Sequence, residues 1–335
     1  KKGEKINLKR KIMEEIVESL REPTLKSKDD KIPTIFLTYG GTETSLIFEQ
    51  NIELREFCAW EAVLKHADTL KEVHSKFLPI AENYGFIMDA PTWRASPDYY
   101  EKLEMENENL NQIIYQCIQH QREMLANALK KPKHVLISAE IGPRGDGYSI
   151  ESKMTISQAE NYHSAQIMAL VASKVDMATA LTLNYADEAI GIALAAKRYH
   201  LPIIIGFTLE VDGRLPDGST IEDFIKSVDQ ATDQSPLCYI LNCCHPTHCD
   251  NALRTYAHTP WFNRLRGIRA NASTKSHAEL DQLDHLDSGD PYDFASRLFA
   301  LHTTYPNFRI LGGCCGSNHI HLQAVADRLS LSSSS

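Results

Sequence analysis

Eight short apolar runs, each followed by a longer stretch of helical or loop character, are the feature that most restricts how this chain can fold. The runs are "IPTIFLTYGG" (32–41), "YGFIMDAPTW" (84–93), "KHVLISAEIG" (133–142), "KVDMATALTL" (174–183), "LPIIIGFTLE" (201–210), "PLCYILNCC" (236–244), "LRGIRANAS" (265–273) and "NFRILGGCC" (307–315). Between them, 103–130, 157–174 and 185–199 carry apolar residues at helical spacing. Asp217 to Thr220 form a capped start for the helical "IEDFIKSV". Strands alternating with helices imply a parallel sheet, because parallel neighbours need long crossovers. Eight such units favour an α/β fold of the closed (β/α)8 type, a TIM-type barrel, over an open doubly wound sheet. No G-x-G-x-x-G and no G-x-x-x-x-G-K-[ST] occurs, so nothing supports a nucleotide pocket.

Composition narrows the surroundings. A net charge of −9 argues against a general nucleic-acid binder. No apolar run reaches the ~18 residues of a membrane span. The opening "KKGEKINLKRKIMEEIVESL" lacks an apolar h-region and reads as an amphipathic surface helix rather than a signal peptide. The expected layout is a helical extension over 1–30, one barrel domain over 31–330 and a disordered tail over 331–335. Eight cysteines without an export signal read as reduced thiols in a cytoplasmic compartment. They cluster at 238–249 and 314–315, and clustering points to a site rather than a disulfide framework.

In such a barrel the C-terminal ends of all strands share the face where active sites are built. Two of these ends carry adjacent cysteines, Cys243-Cys244 on strand six and Cys314-Cys315 on strand eight. Strands of equal parity feed the same side-chain layers, so Cys243 or Cys244 can approach Cys314 and Cys315. Gly312-Gly313 suggest a bend that turns both of the latter thiols to one point. Three thiolates around a point suit zinc, and three protein ligands leave its fourth position open to an outside thiol. The stretch "CHPTHC" (244–249) reads as a turn rather than a second metal site, and the histidines of "NHIHL" (318–322) as helix surface.

"GGCCG" after a strand, paired with "NC" at the end of an earlier one, resembles the homocysteine S-methyltransferase family. "FTLEVDGRLPDGSTIED" (207–223) and "ISAEIGPRGDGY" (137–148) are similar to further segments of it, and the likeness runs over roughly 32–329. The resemblance implies a zinc (β/α)8 barrel with Cys243, Cys314 and Cys315 as ligands. It implies a thiol S-methyltransferase moving a methyl group from a small onium donor, ahead of a methylated folate, to a zinc-bound thiol such as homocysteine. The partners implied are that thiol and that donor, with no nucleic acid and no membrane; a homo-oligomer stays open.

The chain departs from the family where the acceptor's amino group is held. Tyr39 stands in place of an aspartate before Gly40-Gly41, and Leu181 in place of a glutamate; "RANAST" (269–274) replaces an "NSG"-like segment. Glu140 and Glu43 are carboxylates that could replace the lost anchors. The candidate substrate-binding residues are therefore Tyr39, Gly40, Gly41, Trp93, Glu140 and Asn242, with Tyr39 expected to face the pocket and Trp93 either packed or holding an onium group by cation–π contact. Beyond the zinc site no separate catalytic base is expected. Two other readings stand beside this one: the same chemistry on a thiol other than homocysteine, and a non-catalytic zinc- or thiol-binding homologue.

Overall fold

The computed structural model describes residues 2–24, 32–105 and 109–332. Eight parallel strands close into a barrel in sequence order: β1 (Phe36–Leu37), β2 (Gly85–Ala90), β3 (His134–Ile141), β4 (Met177–Leu183), β5 (Ile203–Phe207), β6 (Cys238–Asn242), β7 (Leu265–Ala270) and β8 (Ile310–Gly313). Closure comes from β8 pairing with β1, Phe36 opposite Ile310 and Leu37 opposite Leu311. Each strand lies inside the apolar run that announces it. Helices Leu110–Asn127, Ile156–Ala172 and Ala186–Arg198 fill the expected crossovers, and Thr220 caps Ile221–Thr232 by accepting a hydrogen bond from the Asp223 N–H.

Alternation along the strands divides the apolar residues into two layers. Phe36, Ile87, Leu136, Met177, Ile204, Ile240 and Ile310 fill the barrel interior. Leu37, Phe86, Ile137, Leu241 and Leu311 face out and pack with the surrounding helices. Because inward positions are filled with bulky side chains, the barrel is a core and not a pore.

The amphipathic N-terminal helix, Lys2–Glu18, does not lie loose on the surface. Ile16, Val17 and Leu20 are buried with Phe36, Cys238 and Ile310, which begin their strands, so this segment stops the N-terminal end of the barrel. Three arginines fasten it. Arg21 donates to the carbonyls of Ser235 and Pro236, Arg309 to those of Ser19 and Glu22, and Arg266 to that of Arg21. Residues 25–31, where the extension was expected to end, lie outside the described residues. The last helix runs His319–Ser332, so of the expected tail Leu331 and Ser332 are helical and 333–335 lie outside the described residues.

Candidate metal centre

On β6, Cys238 and Ile240 point into the barrel and Tyr239 and Leu241 point out. The same alternation turns Asn242 inward and would send Cys243 outward. The backbone breaks it: Cys243 has φ +53°, a left-handed conformation rare outside glycine. That single residue returns the Cys243 side chain to the barrel mouth, while its N–H still donates to the Arg269 carbonyl at 2.9 Å. Cys244 is then the outward residue, buried in the helix layer beside Cys249. Of the two candidates on this strand, Cys243 is the one brought to the site.

On β8 the glycines act by close approach rather than by bending. A Cβ on Gly312 would lie 1.9 Å from Thr38 Oγ1, and one on Gly313 1.8 Å from Ser317 Oγ. The turn itself spans Cys314 to Ser317, with the Ser317 N–H donating to the Cys314 carbonyl and Gly316 at φ +77°. Gly40 and Gly41 lie beneath this turn; a Cβ there would meet the Ser317 carbonyl at 2.6 Å or the Cys314 carbonyl at 2.7 Å. Both thiols consequently face Cys243. The Sγ atoms of Cys243, Cys314 and Cys315 lie within 4.8 Å of one another, and no other cluster of this kind occurs among the described residues. Zn–S bonds of about 2.3 Å place tetrahedral sulfurs roughly 3.8 Å apart, so the three sulfurs fit that ion. His245, His248 and Cys249 form no such cluster; His245 instead caps helix Pro246–Tyr256.

Electrostatics single out Cys243 among the three. Burial opposes its ionisation, but hydrogen bonds from Cys314, Cys315 and Tyr148 hold its thiol well below the ordinary value. The other two are pushed up, mainly by their hydrogen bonds to Cys243, Cys315 to about 12. The Tyr148 hydroxyl donates to Cys243 Sγ at 3.2 Å and lies 3.6 Å from Cys315 Sγ. Its ring stacks on His277 at 4.2 Å, and His277 Nε2 donates to the Cys243 carbonyl at 2.8 Å. Asn271 Nδ2 lies 3.6 Å from the same sulfur. Tyr148 and Asn271 sit on loops after β3 and β7, and His277 opens the short helix His277–Leu280; no spacing rule announces them.

The sulfurs of Cys314 and Cys315 open onto a cavity of about 490 Å³ at the C-terminal mouth of the barrel. Gly40, Gly41, Trp93, Glu140, Asn242 and Leu181 line it. Tyr39 does not. Phe36 points inward, and period two puts Leu37 and Tyr39 on the outer face. There Tyr39 is fully enclosed, stacks on His74 at 4.2 Å and donates to Gln121 Oε1 at 3.2 Å. It cannot touch a substrate. His321, expected on the surface, is also buried, with its Nε2 2.8 Å from the Ser288 carbonyl.

The cavity wall is strained at a second strand end. Pairing between β4 and β5 slips between Ala180 and Leu183, and Thr182 sits at φ +55°. As at Cys243, the break puts two successive residues, Leu181 and Thr182, on the cavity. Asn242 Oδ1 accepts from the Thr182 N–H at 2.7 Å, and Trp93 Nε1 donates to Thr182 Oγ1 at 3.1 Å. One face of Trp93 is covered by the Arg94 guanidinium at 4.5 Å.

Charge in the cavity centres on Arg269, an inward residue of β7. Its Nη1 donates to Asp89 Oδ2 at 2.9 Å and to Glu140 Oε1 at 3.2 Å. Burial still pushes the Glu140 carboxyl up to about 8 against the pull of Arg269, with Asp89 and Glu43 adding to the rise. Burial likewise raises Glu43 to about 7, against the pull of a hydrogen bond from its own backbone N–H and of Arg269 and Arg94. Two arginines within an otherwise apolar strand, "LRGIRA", are the sequence signal, and Arg269 is the one nearer the C-terminal mouth.

Comparison with known proteins agrees with this picture. The family model described as homocysteine S-methyltransferase matches residues 36–329. The metallated form of the homocysteine methyltransferase MmuM from Escherichia coli superposes with a TM-score of 0.68 at 18% identity, covering 90% of this chain and 97% of that one. Its oxidized form gives a TM-score of 0.66 at 18% identity, covering 88% and 95%. A search of curated proteins returned no match.

Proposed function

Because the chain belongs to the homocysteine S-methyltransferase family, and is on that ground a thiol S-methyltransferase, we propose that it moves a methyl group from a small onium donor to a thiol bound beside Cys243, Cys314 and Cys315, with zinc as the resident ion. The observation that carries this reading is the convergence of three sulfurs from two strand ends, two of them, Cys314 and Cys315, lining one cavity. Zinc held there would supply Lewis acidity, stabilising the acceptor as thiolate near neutral pH. The acceptor proton leaves to solvent, so the side chains need not provide a general base. The acceptor sulfur's electron pair forms the new S–CH3 bond while the donor's bond to that methyl breaks, its electrons returning to the donor heteroatom. A sulfonium thereby becomes a neutral thioether. Residues of this chain contribute position: Trp93, Thr182 and Asn242 hold one wall rigid, and Arg269 fixes Glu140 on the other.

A second reading, the same transfer to a thiol other than homocysteine, is favoured by the uncharged Leu181 on the cavity wall and by Tyr39 facing away from it. The test is transfer from S-methylmethionine to homocysteine and to other small thiols, read as thioether by mass spectrometry, with zinc measured by elemental analysis. The wild type should hold one zinc per chain, and Cys314→Ser should lose zinc and transfer together. Unchanged zinc content in Cys314→Ser would overturn the assignment.

A further inference from the structure

We propose that two apolar walls of the cavity bind a hydrocarbon substituent of the acceptor, so that the acceptor is an alkyl or aryl thiol without an ammonium group. This rests on the methyltransferase reading above and names its substrate class. Five large apolar side chains line the cavity: Phe48 and Phe57 from the connection after β1, and Leu280, Leu283 and Leu286 from the connection after β7. The strand between these two is β8, which pairs with both β1 and β7 and carries Cys314 and Cys315 just past its end. A substituent on a sulfur held there therefore leaves the barrel between the two connections. Phe48 and Phe57 are 43% and 49% exposed, and the three leucines are only partly buried. Apolar side chains scattered singly over a surface need no explanation, but several gathered on one concave site mark a place that binds.

Phe57 is held in place against its own backbone preference. Glu56 and Phe57 lie at φ +54° and +55°, in the left-handed region that a bulky residue avoids. Neighbours enforce this conformation. The Arg55 N–H and Nε donate to Glu61 at 3.0 and 2.9 Å, and Arg94 Nη1 donates to the Glu56 carbonyl at 2.5 Å. Strain maintained in this way, with the ring left half exposed instead of packed in the core, points to presentation of the ring to a ligand. The chemistry of that ligand follows from the rest of the lining. The leucines carry no π face, so the two walls together suit hydrocarbon better than an onium charge. Leu181 is uncharged, and Glu140 Oε1 already accepts from Arg269. Burial holds Glu43 and Glu140 up toward their neutral forms, at about 7 and about 8. An ammonium would lack a fully ionised, unpaired carboxylate here, and a buried charge without a partner is costly.

The experiment is calorimetric titration of the zinc-loaded protein with 2-phenylethanethiol, 2-mercaptoethanol and homocysteine. The wild type should bind 2-phenylethanethiol roughly tenfold or more tighter than either of the others, the scale of burying one aromatic group. Phe57→Ser and Leu283→Ser take one side chain from each wall, and both side chains are partly in solvent. Each variant should bind 2-phenylethanethiol about fivefold or more weakly, with 2-mercaptoethanol within about twofold of the wild type and zinc content unchanged. Homocysteine binding as tightly as 2-phenylethanethiol would overturn the proposal, as would an unchanged 2-phenylethanethiol affinity in either variant or equal losses for all three thiols. A raised KM for the onium donor with thiol affinities unchanged would overturn it by giving the walls to the donor. Loss of a concentration-dependent wild-type dimer, again with thiol affinities unchanged, would overturn it by giving them to a second copy of the chain. Absence of binding by every thiol would instead overturn the methyltransferase reading beneath it.

Discussion

At the scale of single residues, the site is assembled from positions where the backbone or the charge balance departs from the ordinary. Cys243 needs a left-handed backbone to reach Cys314 and Cys315, and Thr182 needs one to reach Trp93. Such conformations cost on the order of 1–3 kcal/mol and persist where surrounding contacts hold them; here Asn242 and the Arg269 carbonyl supply those contacts. Glu140 stores a cost of another kind, which makes stability depend on pH. Its folded value, about 8, stands above the ordinary 4.5. Between these values the folded state binds the proton more tightly than the unfolded one, so the contribution of the neutral form is present at the acid end and is lost as pH rises. Glu140→Gln cannot ionise. Denaturant unfolding from pH 5 to pH 8 should therefore show the variant gaining stability relative to the wild type as pH rises. Parallel curves for the two proteins would mean that Glu140 ionises as freely folded as unfolded.

At the scale of elements, the eight strands and their order were legible because each apolar run must become a strand that is covered on both faces. The pairing of strand ends six and eight was legible too, since barrel closure brings equal-parity strands into shared layers. What alternation could not show was where it fails. Choosing Cys243 over Cys244 on the residues alone requires knowing one φ angle, and Tyr39 was misplaced because the phase of β1 is set by Phe36 pointing inward. Tyr148 reaches the sulfurs from a loop and His277 backs it from a one-turn helix within the long connection after β7, whose paths no periodicity encodes. Strand-to-strand fit gives a sharp test. A Cβ on Gly267 of β7 would lie 1.8 Å from the Ile310 carbonyl oxygen of β8, a backbone atom that cannot swing aside. Gly267→Ala should destabilise the barrel by about 3 kcal/mol, at the upper end of overpacking costs. Gly145→Ala, with nothing within 4 Å of the added carbon, should be close to neutral. Equal denaturation midpoints for the two variants would contradict the close approach of β7 and β8.

At the scale of the whole molecule, the barrel separates stability from chemistry along its axis. The sulfurs, the carboxylates and the cavity occupy the C-terminal mouth. The other end is closed by the N-terminal segment, whose Ile16, Val17 and Leu20 are at most 4% exposed. Full burial of such side chains is worth about 1.5–3 kcal/mol each, an upper estimate because the unfolded chain is itself partly collapsed. Removing residues 1–24 would also strip the carbonyls of Ser19, Arg21 and Glu22 from the buried side chains of Arg266 and Arg309. Those arginines would then rely on water that enters where the helix had been. The truncated chain should lose on the order of 5 kcal/mol of stability, read as a lower denaturation midpoint. Below that midpoint it should still bind zinc with the stoichiometry of the full chain and prefer the same thiols, because no residue of this segment is among the described residues that line the cavity. Loss of zinc from a truncated protein that remains folded would show the two ends of the barrel to be coupled, with the helix acting on the strand ends through β1 and β8 rather than only sealing the far side.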